Sequence, residues 1–264
     1  VTLSKQKSSG SAALCFIQIF STLGFAVLYS TLVLYATKKL GFSDSSANAI
    51  MGLFGAFNYG LHLFGGYLGG RYLSNRNLFV LGMVLQVIGC FLIATAGVTG
   101  LYWGLALFLT GSGLNVTCLN MMLTQLFTPE DERRESAFLW NYAGMNLGFF
   151  IGFTVAGYFQ LDENYKALFM FATLGNIIAI LATLVFWKQL KDRDTPLTLV
   201  SPAVFRKRFI IGVVILLVLL PIIRVMLNYA AISSYFVIAI GIAVFILLCI
   251  MTLKHRITGE RSRM

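Results

Sequence analysis

SAALCFIQIFSTLGFAVLYSTLVLYAT, residues 11–37, decides how the rest of the chain is read. The run is long enough to cross a bilayer, which takes about 20 apolar residues. It holds no Asp, Glu, Lys or Arg, yet it carries a polar inset near its middle, Gln18, Ser21 and Thr22. Spacings of three and four put these side chains on one helix face. Polar groups at membrane depth are costly, so they face protein partners or a wet cavity. In a chain that moves a solute, this inset is a natural meeting place for solute or coupling ion.

The same pattern recurs downstream. Of 264 residues, 58% are hydrophobic and 11% charged, against about 25% charged in soluble domains. Mean hydropathy is +0.82. No charged residue lies between Asp44 and Arg71, Arg76 and Glu130, Glu135 and Asp162, or Lys166 and Lys188. Between Arg208 and Lys254 there is one, Arg224. Backbone polar groups cannot stay unpaired in lipid, so such runs cross as helices. The fold class expected is an all-α polytopic membrane protein with about eight membrane helices.

The net charge of +10 follows from topology rather than from a nucleic-acid partner, because cytoplasmic loops collect Lys and Arg. With an N-terminus inside and eight crossings, four of the 20 Lys and Arg residues fall outside: Lys38, Lys39, Lys166 and Arg224. Both termini are therefore expected in the cytoplasm. Arg224 is expected to snorkel outward. Cys15, Cys90, Cys118 and Cys249 sit in apolar runs without close pairing and read as buried thiols acting as small hydrophobes. No nucleophile motif, phosphate loop or metal-spaced cluster is present. The chain reads as no enzyme, with no cofactor and no metal. The first run is too long for a signal-peptide core and should remain as a spanning helix.

The chain divides into a cytoplasmic tail, 1–10, a six-helix bundle, 11–188, a polar linker, 189–203, a helical hairpin, 204–254, and a basic tail, 255–264. Gly97 and Gly100 supply the turn that splits the long uncharged run into helices 3 and 4. Helices 2 and 5 look related. Phe57-Asn58-Tyr59 is followed by Gly65 and Gly69, and Trp140-Asn141-Tyr142 by Gly148 and Gly152, with glycines seven and eleven after each Asn. That suits two three-helix repeats of opposite orientation. The glycines, with Gly144, Gly66 and Gly70, read as close-packing seams between helices, which lipid does not drive together. Such seams are compatible with helices rocking past one another.

The cavity reading is stronger where several intramembrane polar residues gather, in helices 1, 2, 4 and 5. Gln86, Gln125 and Asn176 are expected to make interhelical hydrogen bonds. Asn141 and Asn146 stand roughly 140° apart at 3.6 residues per turn, so they should not share a contact. His62 is the one ionisable side chain in the first six spans. It could carry a coupling proton or act as a neutral hydrogen-bonding residue, and the neutral role is favoured.

Residues 32–44, the stretch 65–73, Gly111-Ser112-Gly113-Leu114, the loop 129–134 and Tyr142-Ala143-Gly144-Met145-Asn146-Leu147-Gly148 together resemble the proton-dependent oligopeptide transporters of the major facilitator superfamily. The resemblance runs over most of the first 190 residues. It implies an amino-terminal six-helix bundle followed by the two extra helices that bacterial members carry between their halves. By that comparison the second six-helix half is absent. The family's helix-1 E-x-x-E-R falls on Gln18, Ser21 and Thr22, with every charge gone. Its following tyrosine pair becomes Phe25-Ala26, its helix-4 lysine falls on Val116, and the Asp after helix 2 falls on Gly70. Tyr59 and Asn146 match positions that contact peptide in relatives. Losing these charges as a set leaves no unpaired buried charge.

The resemblance implies a secondary active transporter for di- and tripeptides, working by alternating access and proton-coupled when complete. Substrate binding is expected at Gln18, Ser21, Thr22, Tyr59, His62, Asn115 and Asn146. The partners implied are membrane lipid, a small peptide or other small polar solute, protons and a second transporter half, in a bacterial inner membrane. The alternatives are a non-transporting membrane fragment or partner subunit, and a carrier of another small polar solute without proton coupling through this half.

Overall fold

The computed structural model describes residues 2–193 and 195–257, and side chains over 9–193 and 195–252. The described residues form eight α-helices: α1 (Thr2–Leu34), α2 (Asp44–Leu68), α3 (Asn75–Thr95), α4 (Gly97–Leu126), α5 (Arg133–Leu161), α6 (Tyr165–Val185), α7 (Pro202–Asn228) and α8 (Ala230–Ile257). One π-helical turn, Tyr35–Lys39, follows α1. Most of the expected basic tail, 258–264, lies outside the described residues.

Helix starts are set locally. Ser43, Ser74 and Asn164 accept from Ser46 N, Asn77 N and Ala167 N, and so satisfy orphan donors of α2, α3 and α6. Gly97, at φ +58°, divides α3 from α4. Gly100 lies inside α4, where a side chain would meet the Leu92 carbonyl. It is a close-approach residue rather than part of the turn.

Six helices are long and apolar enough to cross a membrane: α1, α3, α4, α6, α7 and α8. The two others, α2 and α5, have the length, 25 and 29 residues, but are less apolar. The expected tail over 1–10 is not separate, because α1 already begins at Thr2. Lys5, Gln6 and Lys7 are good helix formers, and nothing before Gly10 breaks the run.

The packing has an internal symmetry. α3 packs most extensively on α4, and α6 lies on both α3 and α1. α2 lies on α4, α5 lies on α1, and α3 meets α6. Exchanging helices 1–3 with 4–6 therefore maps these main contacts onto one another. The glycines make the seams. A Cβ on Gly148 would stand 2.5 Å from the Ile19 carbonyl, on Gly144 2.9 Å from the Cys15 carbonyl, and on Gly152 2.6 Å from Ala26 Cβ. On the other side, Gly65 faces Leu114 Cα at 3.1 Å and Gly113 faces Leu61 Cβ.

The hairpin α7–α8 leans on α4 and α2. α8 buries almost nothing, so Cys249 is exposed rather than a buried thiol. Arg224 has its guanidinium 5.4 Å over the Trp103 ring. The linker folds back onto the α2–α3 turn. Asp192 accepts from the Asn75 backbone at 2.8 and 3.1 Å, and the Leu197 N–H donates to the Gly70 carbonyl at 2.9 Å. Arg76 stacks over Trp187, 4.1 Å from its ring centre.

Candidate functional site

The polar inset of α1 is held as one unit. Gln18 Nε2 donates to Thr22 Oγ1 at 2.8 Å, and Ser21 Oγ to the Gln18 carbonyl at 3.1 Å. Asn141 Nδ2 on α5 donates to Gln18 Oε1 at 3.3 Å. All four side chains are buried. Across the bundle, Ser112 Oγ on α4 donates to Asn58 Oδ1 on α2 at 3.0 Å. Thr117 Oγ1 donates to the His62 carbonyl at 2.9 Å, which fixes α2 beside α4 one turn further along.

Asn115 is wedged between α4 and α3. With its amide turned to suit its neighbours, it donates to the Gly111 and Phe79 carbonyls at 3.2 Å each and accepts from Gln86 Nε2. The interhelical bond expected of Gln86 is thus present. Gln125 Oε1 accepts from the Arg193 backbone at 3.2 Å, which is a contact with the linker, not with another helix.

A cavity of about 270 Å³ opens between these groups. Gln18, Ser21 and Thr22 line it from α1, Tyr59 and His62 from α2, and Asn115 from α4. Six of the seven expected site residues therefore meet in one place. Asn146 does not join them: it is exposed, and its Nδ2 donates to the Tyr142 carbonyl of its own helix at 2.9 Å. As the azimuths require, it shares no contact with Asn141. From α5, Met145 and Phe149 line the cavity instead.

Phe25, Asn58, Gln86, Ser112, Val116 and Leu119 complete the lining. Asn58 was legible from its four-residue spacing to His62. Phe25 and Val116 were marked by the family resemblance, whereas Leu119, Met145 and Phe149 gave no signal in the sequence, since such side chains fill lipid-facing and cavity-facing positions alike. Phe25 closes one side: it stacks on Phe54 at 5.5 Å and meets Phe149 edge-on at 6.1 Å.

Among the described residues, no Asp, Glu, Lys or Arg lines the cavity. His62 is its one imidazole, and Nε2 is shut from solvent without a hydrogen-bond partner. The Tyr59 ring stands edge-on to it at 5.8 Å. Tyr59 itself is 70% exposed, so the cavity is open along the α2 side. The chemistry this lining can do is recognition through amides, hydroxyls and aromatic faces.

The Major Facilitator Superfamily model matches residues 14–264. Dipeptide and tripeptide permease A of Erwinia pyrifoliae is 26% identical over 181 residues, covering 68% of this chain and 37% of the permease. That of Citrobacter koseri is 27% identical over 195 residues, 73% of this chain and 39% of the permease. The chain thus spans well under half the length of these curated relatives. Among solved structures, a peptide transporter, POT, in complex with sulfate has a TM-score of 0.75 at 25% identity, covering 96% of this chain and 55% of that one. A bacterial homologue of the human drug peptide transporters gives 0.78 at 19%, with 91% and 54% covered. A POT family transporter in complex with 5-aminolevulinic acid gives 0.74 at 21%, with 94% and 52% covered.

Proposed function

The chain belongs to the major facilitator superfamily, and from that premise we propose that it forms the amino-terminal half of a carrier for small peptides, working by alternating access. It acts as a carrier, not an enzyme. The observation that carries this reading is the cavity where Gln18, Ser21, Thr22, Tyr59, His62 and Asn115 converge. The similarity to dipeptide and tripeptide permeases supports the choice of solute.

In this reading solute binds at the midplane, between this bundle and a second one. The exposed aromatic faces of α2 and α5, with Tyr59, Phe64, Tyr67, Trp140, Tyr142 and Phe150, line the boundary with the second bundle. The α1–α5 and α2–α4 glycine seams keep each helix pair rigid, so that the bundle rocks as a body. Gln18 and Ser21 offer amide and hydroxyl groups to peptide bonds. Asn146, exposed on α5, reaches solute from the boundary rather than from the cavity floor. Orientation follows from the positive-inside pattern, with the linker end in the cytoplasm of a bacterial inner membrane.

Proton coupling in the complete carrier uses groups from the second bundle or His62, since no Asp, Glu, Lys or Arg among the described residues lines this wall. The uncharged lining also favours a second reading, a carrier of another small polar solute with no proton step in this half. Uptake of labelled dipeptide into liposomes by the complete carrier, with and without an inward proton gradient, separates them. Gradient-driven dipeptide uptake is expected. Uptake indifferent to the gradient excludes a proton symporter, and no dipeptide uptake at all excludes the peptide reading.

A further inference from the structure

A second cavity, of about 620 Å³, lies at the linker end of the bundle, between the ends of α2 and α4, the α4–α5 loop and the linker. Arg71, Arg134 and Arg193 all line it, from three separate segments. No carboxylate among the described residues shares the lining. Arg71 stands 5.2 Å over the Tyr67 ring and Arg134 6.0 Å over Phe138, and Arg134 also lines a neighbouring pocket with Glu130, Asp131, Glu132 and Glu135; neither described salt bridge, Lys38–Glu163 or Arg133–Asp131, includes any of the three arginines. Asp192 of the linker is turned to the start of α3. Asp194 lies outside the described residues.

Two further atoms point to an absent partner. Arg134 Nε and Thr195 Oγ1 are shut from solvent and have no hydrogen-bond partner. A buried donor without an acceptor costs free energy that a bound acceptor recovers. Three like charges drawn together from separate segments repel unless an anion lies among them. Planar guanidinium forks match the oxygens of phosphate. The volume falls within the range of small-molecule sites.

We propose that this cavity binds a phosphate group, held by Arg71, Arg134 and Arg193 with Thr195 adding a hydroxyl hydrogen bond. The group comes from an anionic lipid headgroup or from free phosphate. The positive-inside pattern puts the cavity on the cytoplasmic side, where the leaflet carries anionic headgroups. The site is separate from the polar cavity between α1, α2 and α4, and the solute reading does not use it.

The test follows thermal unfolding of the 264-residue chain in a neutral detergent, titrated with phosphatidylglycerol, phosphatidylcholine or inorganic phosphate. A ligand that binds the folded chain raises the unfolding midpoint with concentration. Phosphatidylglycerol, inorganic phosphate or both should stabilise, and phosphatidylcholine should not. Response to the lipid alone identifies a headgroup site, and response to phosphate alone identifies a free-anion site. Arg134→Gln and Arg193→Gln should each weaken binding about tenfold, as loss of one charge-assisted contact implies. Thr195→Val should weaken it less, and Lys207→Gln, at the exposed start of α7, should leave it unchanged. No stabilisation by either anion would overturn the proposal. So would an equal loss in Lys207→Gln and Arg193→Gln, which would mean diffuse surface attraction.

Discussion

Asn141 on α5 donates to Gln18 on α1 across 3.3 Å, and both side chains are buried. Its counterpart is the bond from Ser112 on α4 to Asn58 on α2, at 3.0 Å. In each repeat the Asn that precedes the glycine seam binds a polar residue on the helix against which the seam packs. The positions match as well: Gln18, Ser21 and Thr22 on α1 share their spacing with Ser112, Asn115 and the apolar Val116 on α4. One wall of the cavity thus comes from the same local design used twice.

Gln18→Leu removes the acceptor from Asn141, whose Oδ1 is already without a partner. A buried donor left unmade costs roughly 1–3 kcal/mol. The variant should unfold at lower temperature in detergent. Adding Asn141→Leu should cost less than the two single changes summed, because contacting residues couple. Strict additivity would show that the bond contributes nothing.

The α1–α5 seam predicts a graded response to added carbon. Gly148→Ala places a methyl 2.5 Å from the Ile19 carbonyl, and overpacking of this kind costs roughly 1–3 kcal/mol. Gly157→Ala on the same helix meets nothing within 4 Å and should be neutral or slightly stabilising. Unfolding midpoints in detergent that fall equally for both would refute the seam.

Asp192 gives a pH dependence with a definite sign. Burial pushes its carboxyl above the ordinary range, and the bonds from Asn75 and the charge of Arg76 offset only part of that. The folded state therefore holds this proton more tightly than the unfolded chain does. The contribution is complete below the ordinary carboxyl pKa and is lost as pH rises through the folded value. Asp192→Asn should flatten the fall in unfolding midpoint over that window. An unchanged slope would place the pH dependence elsewhere.

In the complete carrier, Gln18→Leu should lower dipeptide uptake several-fold while the protein still reaches the membrane. Quantified surface expression alongside uptake separates transport from folding. Unchanged uptake would return the inset to helix packing alone.

Much of this was legible in the residues. Uncharged runs marked the crossings, and the Asn-plus-seven, Asn-plus-eleven glycines of α2 and α5 marked the seams that Gly65 and Gly148 make. Spacing of three and four put Gln18, Ser21 and Thr22 on one face. Asn146 entered through its match to a peptide-contacting position in relatives, and spacing could not say that α5 turns Met145 and Phe149, not Asn146, into this cavity. The arginine cavity was equally hidden, because Arg71, Arg134 and Arg193 come from segments far apart in sequence. Only the return of the linker over the α2–α3 turn brings them together.

The central claim is that this chain supplies one wall of a two-walled solute site. The most direct measurement compares labelled dipeptide uptake into liposomes by the 264-residue chain alone and by a carrier in which it is joined to a second six-helix bundle. Uptake is expected by the joined carrier and none by the chain alone. Uptake by the chain alone at a comparable rate would contradict it.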